Sequence, residues 1–179
     1  AGDNGTGASQ TATKDDGVDL TLPDSATANS YFTRTGYTVT SWSTNSDGST
    51  SDYAFGASYT TEADETLYPV WTADTYTITF NRGSLTGSTG ADQTATKTYG
   101  VNLALPDSAT ANTYFTKTGY TVTGWSLSGD GSTSDFDLGD NYTANVADNI
   151  FPVWTADTYT ITFNKGDDGT GTDETATKT

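Results

Sequence analysis

The chain repeats itself at an offset of 83 residues. Nothing else in it limits the fold as strongly, because each copy must be a unit that packs in the same way every time. The heptapeptide TYTITFN begins at Thr75 and again at Thr158. The same offset relates 22–29 to 105–112, 36–40 to 119–123, Trp42 to Trp125, and 69–71 to 152–154. Aligned without a gap, 11–74 and 94–157 share 41 identities in 64 positions. The organisation that follows is a first repeat at 1–74 lacking its first strand, a complete second repeat at 75–157, and the first strand and loop of a third at 158–179. With an initial Ala and no visible signal peptide, the chain reads as a window into a longer array. Only Thr72, Ala73 and Asp74 separate Trp71 from the next TYTITFN. Three residues reach at most ~10 Å. Neighbouring repeats are therefore expected to stack as a rod, not to hang as beads on a flexible string.

Composition excludes whole classes of function. There is no His and no Cys, so no Ser-His-Asp or Cys-His nucleophile pair, zinc finger or thiol redox centre can form. Seven basic residues against 23 acidic ones give a formal net charge of −16, which argues against nucleic acid as a partner. No apolar run approaches the ~20 residues of a spanning helix, so no membrane insertion is expected. Only 32% of the chain is hydrophobic, yet 12% is aromatic, far more than a disordered segment carries. The 40 Thr, with Tyr, Phe and Val, favour strands, and the Gly, Asp, Asn and Ser between them favour turns.

Within the complete repeat, Tyr76, Ile78 and Phe80 alternate with Thr, as in a half-buried strand. Residues 81–93 read as loop. Val101, Leu103 and Leu105 alternate, like Val18, Leu20 and Leu22, predicting a second strand that Pro106 ends. Residues 107–115 predict a short helix capped by Asp107 or Ser108 and broken before Gly119. Residues 120–125 predict a third strand, 130–139 a turn, and 149–154 a last strand, in which Pro152 implies an edge or a bulge.

This order of segments resembles the Listeria–Bacteroides repeat, or internalin-type B repeat. The residues that carry the likeness are the TYTITFN strand with its Gly-rich loop, Gly119-Tyr120 with Trp125, and the closing Ile150-Phe151-Pro152-Val153-Trp154. The resemblance covers nearly the whole chain and departs from the family pattern by an insertion at 108–115. It implies a β-rich α+β fold of tandem small β-grasp-like domains. It also implies arrays in bacterial surface proteins and adhesins, hence an extracellular or cell-surface location.

Of the 22 aromatics, 20 lie in columns that are aromatic in two copies, and two columns exchange Tyr for Phe: Tyr53 with Phe136, and Tyr68 with Phe151. Losing the hydroxyl is compatible with packing and not with a conserved hydrogen bond. Trp42, Trp125, Trp71 and Trp154 are read as core or inter-repeat packing residues. Trp71 and Trp154, with Thr72, Asp74, Thr155 and Asp157, are read as inter-repeat packing residues. The rival reading makes the Trp side chains a carbohydrate-stacking platform.

Asp47 and Asp52 recur as Asp130 and Asp135, joined by Asp137. Acidic loops bearing Gly can hold calcium, and solvated turn acids are the alternative. Catalytic residues and a resident cofactor are not expected, calcium being the one candidate ion. Paired carboxylates can hydrolyse glycosides, but these sit in turns with no sign of a pocket, so the chain is not read as an enzyme. Ice binding would need a flat Thr array on every turn of a solenoid, which separate strands of an 83-residue unit do not provide.

The basic residues form three columns: Lys14, Lys97 and Lys178; Arg34 and Lys117; Arg82 and Lys165. Each is read as an ion-pair partner or a stem over apolar surface, with a Lys–Asn or Lys–Asp isopeptide as the alternative at Lys97. Asn4 and Asn141 begin glycosylation triplets. The expected function is a stalk, spacer or fibre-building segment of a large surface protein, and the alternative is a glycan-binding adhesin module. Expected partners are neighbouring repeats, other copies of the chain head to tail, and, for the alternative, surface glycans. Tyr159, Ile161 and Phe163 would form a donor strand that completes the next chain's first repeat. Otherwise TYTITFN would pair with the preceding copy and offset the structural unit from the sequence repeat.

Overall fold

A computed structural model describes residues 1–2 and 5–179. Asn4 therefore lies outside the described residues. The described residues are β-rich with two short helices and form two units, Ala1–Thr75 with Thr98–Gly100, and Tyr76–Lys97 with Val101–Thr179.

In the first unit the elements are β1 (Leu20–Thr21), α1 (Ser25–Tyr31), β2 (Tyr37–Ser43), β3 (Ser58–Tyr59) and β4 (Tyr68–Ala73). Strands β2 and β4 pair antiparallel, with a register shift between Val39 and Ser41, and β1 pairs antiparallel with β3. The core is Leu22, Ala28, Phe32, Val39, Trp42 and Tyr59.

The second unit runs β5 (Thr75–Phe80), β6 (Ser88–Thr89), β7 (Gln93–Thr98), β8 (Leu103–Ala104), α2 (Ser108–Tyr114), β9 (Thr116–Lys117), β10 (Tyr120–Ser126), β11 (Phe136–Asp137), β12 (Asn141–Tyr142) and β13 (Asp148–Ala156). Two further strands follow, β14 (Tyr159–Phe163) and β15 (Glu174–Lys178). The main sheet has the order β6-β9-β10-β13-β5-β7, with β11 also on β10. Strand β13 is antiparallel to β10 but parallel to β5, with Asp148, Asn149 and Ile150 opposite Ile78, Thr79 and Phe80. TYTITFN thus pairs with the last strand of its own repeat. Alternation along β5 turns Ile78 and Phe80 into the core with Trp125, Phe115, Val122 and Ile150.

Helix α2 starts where the sequence places it. The Asp107 side chain accepts the Thr110 N–H at 2.9 Å, as Asp24 accepts that of Thr27 at 2.8 Å in α1. The helix then supports a bulge. The β10 register shifts between Val122 and Gly124, and the Asn112 Oδ1 accepts the Val122 N–H at 3.1 Å. Asn29 does the same for Val39 at 2.9 Å. Pro152 lies in an interior strand but beyond the stretch paired to β5, and opposite it runs the bulged strand β10.

Three expectations are corrected. Residues 81–93 are not all loop, since β6 lies within them and pairs with β9. The strand expected from Val101 to Leu105 shrinks to Leu103–Ala104, and both Val101 and Val18 are 59% exposed. In the opposite direction, Gln93–Thr98 forms a strand that hydrophobic periodicity does not mark, because one of its inward residues is Lys97.

Candidate functional site

The two repeats differ most where β5 lies. In the second unit Phe80 sits 5.2 Å from the Trp125 ring and 6.0 Å from that of Tyr114. Trp125, Phe115 and Ile78 are sealed from solvent as a result. Among the described residues the first unit has no strand in the corresponding place. A groove of about 700 Å³ opens there, lined among others by Tyr31, Phe32, Trp42, Tyr59 and Leu67. The flanking segments differ accordingly. Residues 65–67, counterparts of Asp148–Ile150, and residues 11–14, counterparts of 94–97, carry no strand in the first unit.

The expected donor strand is at the other end of the sequence. Tyr159, Ile161 and Phe163 lie on β14, which pairs antiparallel with β15 over its full length. All five residues of each strand are exposed, and these three side chains are 54%, 46% and 61% accessible. The same three residue types at Tyr76, Ile78 and Phe80 are half-buried, buried and buried.

The side chains expected at an inter-repeat interface pack or bond within their own repeats, while the Asp74 carbonyl accepts the N–H of Tyr99 from the second repeat. Trp71 lies opposite Val39 and packs on the first core, and Trp154 lies opposite Val122 and packs on the second. The indole Nε1 of each is buried without a hydrogen-bond partner. Thr72 bonds Thr40 at 2.9 Å and Thr155 bonds Thr123 at 2.8 Å. Asp74 accepts from the Thr38 hydroxyl and Asp157 from that of Thr121, both at 2.7 Å.

The acids considered for calcium are each tied into a turn. Asp47 accepts the Ser49 N–H, and Asp130 accepts the Ser128 hydroxyl and the Ser132 N–H. Asp52 takes the Thr44 N–H together with the hydroxyls of Thr44, Thr50 and Ser43. Asp135 takes the Leu127 N–H and the Ser126 hydroxyl, and the Asp137 N–H donates to Asp140. These bonds hold the carboxyls of Asp47, Asp52 and Asp130 below the usual aspartate value, through the Ser49 N–H, the Thr44 N–H and the Ser128 hydroxyl above all. Among the described residues no three acids gather as a metal site would require.

Two columns acquire partners that the sequence left unidentified. Lys14 pairs with Glu62, and the fully buried Lys97 donates to Asn145 Oδ1 at 2.9 Å. Glu62 and Asn145 are themselves 83 apart, so the partner column changes from charged to neutral. Arg34 stacks over Tyr37 at 3.6 Å and Lys117 over Tyr120 at 4.0 Å. Asn141 is exposed at the start of β12.

Tyr99 was missed as a packing residue. Its ring lies 5.7 Å from that of Tyr37, and its N–H donates to the Asp74 carbonyl at 2.8 Å. The signal for it was present, since Tyr99 stands opposite Asp16 and is an aromatic without an aromatic counterpart.

Among the described residues no helix is long and apolar enough to cross a membrane. The sequence matches the Listeria-Bacteroides repeat domain twice, over 2–70 and 76–148. It is also 31% identical over 138 residues to a protein of Evansella cellulosilytica described as a Gly-rich membrane protein. That match covers 74% of this chain but 15% of the relative's length. No solved structure matches the chain significantly.

Proposed function

The chain belongs to the Listeria-Bacteroides repeat domain family, and from that membership we propose that it is a non-enzymatic structural segment of a large extracellular surface protein, a stalk or spacer built from tandem repeats. The observation that carries this reading is the fate of the aromatics. Trp42 and Trp125 are 4% and 0% exposed, Trp71 and Trp154 pack on their own cores, and of the aromatics among the described residues only Tyr120, Tyr159 and Phe163 are exposed. A carbohydrate platform keeps rings free for a sugar, whereas a spacer spends them on its cores. The strand order also supports the β-grasp-like reading of each repeat: two neighbouring strands β7 and β5, a helix, and a closing strand β13 parallel to β5.

The test has two parts. Small-angle scattering of two-, three- and four-repeat chains should show the longest dimension growing by a constant increment per repeat, as a stacked rod requires. Growth as the square root of repeat number would exclude the rod. A glycan array probed with the 179-residue chain should stay blank. Binding that disappears with Tyr120→Ala would replace the spacer with a glycan-binding module.

A further inference from the structure

We propose that Lys97 and Asn145 are a covalent crosslinking site, the lysine amine displacing ammonia from the asparagine side chain to leave an isopeptide bond inside the second repeat. Among the described residues Lys97 is the one buried charged side chain, and its Nζ donates to Asn145 Oδ1 at 2.9 Å. A carbonyl carbon lies about 1.2 Å from its oxygen, so Nζ stands within about 4.1 Å of Asn145 Cγ. A small rotation of either side chain closes that gap to the roughly 3–3.5 Å from which held groups react.

Each partner is fixed by its own element. Alternation along β7 turns Lys97 inward with Ala95, which packs against the core. Asn145 sits in the connection between β12 and β13, and the buried Tyr142 pins that connection. The Tyr142 hydroxyl is shared between the Val146 carbonyl at 3.4 Å and the Asp148 carboxylate at 3.1 Å. The first repeat has the same arrangement with a different pair. There Tyr59 donates to the Ala63 carbonyl at 2.9 Å, and Lys14 meets Glu62. The Lys14 amine holds the Glu62 carboxyl below the usual glutamate range, so the group facing that amine is an anion, which repels a nucleophile. The Asn145 carboxamide is neutral. Of the two pairs, only the second joins a buried amine to a carbonyl carbon open to attack.

In the reaction the Nζ–Cγ bond forms and the Cγ–Nδ2 bond breaks. The lysine ammonium gives up two protons and the departing Nδ2 takes both, so one ammonium ion leaves and a secondary amide remains. No oxidant or other reactant enters, and the exposed position of Asn145 gives the ammonium a path to solvent. The product ties β7 to the segment just before β13, the two strands that flank β5. The residues between Lys97 and Asn145 become a closed covalent loop that a pull on the repeat's ends no longer extends. Such a bond serves a spacer and a glycan-binding module alike, so the proposal stands apart from the spacer reading.

The test is intact mass and a tryptic map of the folded 179-residue chain, incubated until its mass is constant. The mass should fall short of the sequence mass by one ammonia. After denaturation, trypsin should leave Lys97 uncut and release 83–117 joined to 118–165 as one branched peptide. Asn145→Glu installs the pair that the first repeat carries, and Lys97→Arg keeps the positive charge. Both should restore the full mass and the separate peptides. Full mass with cleavage after Lys97 in the unsubstituted chain would overturn the proposal, whatever the variants do. An ammonia deficit that persists in either variant, or that maps to a succinimide at Asn4-Gly5, would overturn it as well.

Discussion

Single carboxylates set the acid limit of this fold. Asp24 and Asp107 have pKa values below the ordinary 3.8, first because each accepts a backbone N–H, from Thr27 and Thr110. A depressed value stabilises the folded state at pH above 3.8, and the contribution is lost as pH falls through the lower folded value. Asn caps a helix as well as Asp does but cannot titrate. Asp107→Asn should therefore leave the melting temperature unchanged at pH 7 and flatten its fall between pH 5 and 2, whereas Asp107→Ala should lower it at both ends. At the alkaline limit, burial and then the charge of Asp148 push the Tyr142 hydroxyl up to about 12. Its stabilising contribution is complete below the unfolded value of 10 and disappears as pH rises towards 12. Tyr142→Phe should remove that alkaline loss, read by circular dichroism from pH 8 to 12.

Glycine makes a sharper residue-level comparison. Gly36 and Gly119 occupy the same repeat position with φ of +74° and +75°. A Cβ at Gly119 meets nothing, while one at Gly36 runs into the Tyr99 ring. Gly119→Ala should cost only the left-handed strain of about 1–2 kcal/mol. Gly36→Ala should cost more and should disturb the Tyr37–Tyr99 ring pair, visible in tyrosine chemical shifts.

At the scale of elements, the helix and its strand act together. Asn112 reaches from α2 to the bulge in β10 and occupies the Val122 N–H. Asn112→Ala would leave that buried donor unpaired, and about 1–3 kcal/mol should be lost in urea denaturation. The same elements show how far the sequence can be read. The helix, its Asp cap, β5 and β10 were legible because cap chemistry and alternation are local signals. Strand β7 was hidden because Lys97 takes an inward position, its amine met by Asn145, 48 residues further on. Val18 and Val101 belong to the apolar alternation but lie outside the strands that form, and both are exposed. The Asn–bulge contact was illegible, since a register shift leaves no trace in residue spacing. Of the candidate sites, the strand at Tyr159–Phe163 could be read from the repeat phase alone, because it repeats Tyr76–Phe80 at the 83-residue offset. The groove in the first unit, and the acids' preference for turn N–H groups over one another, needed coordinates.

For the molecule as a whole, the two repeats should not be equally stable, although they are close in sequence. The first unit lacks the strand that seals Trp125 and Phe115 in the second, and its counterparts Trp42 and Phe32 border an open groove. Denaturation of the 179-residue chain should proceed in two steps, the first unit melting before the second. Amide exchange should accordingly be faster at Val39 than at Val122, whose N–H groups donate to the equivalent residues Asn29 and Asn112. A single cooperative transition with equal exchange would contradict this. The surplus charge is spread along the sequence, with each repeat carrying more acid than base, which keeps exposed Thr-rich strands from adhering to those of other molecules.

The parallel pairing of β5 with β13 has a consequence for how a complete repeat would bear tension. The chain enters the repeat at the start of β5 and leaves it at the end of β13, and the two strands run in the same direction side by side. A pull on the two ends drags them past each other along their length. The hydrogen bonds between Ile78–Phe80 and Asp148–Ile150 lie across that direction, so they are loaded together in shear and not peeled apart one by one. The contact that closes the fold is thus also the one that a stretching force meets first.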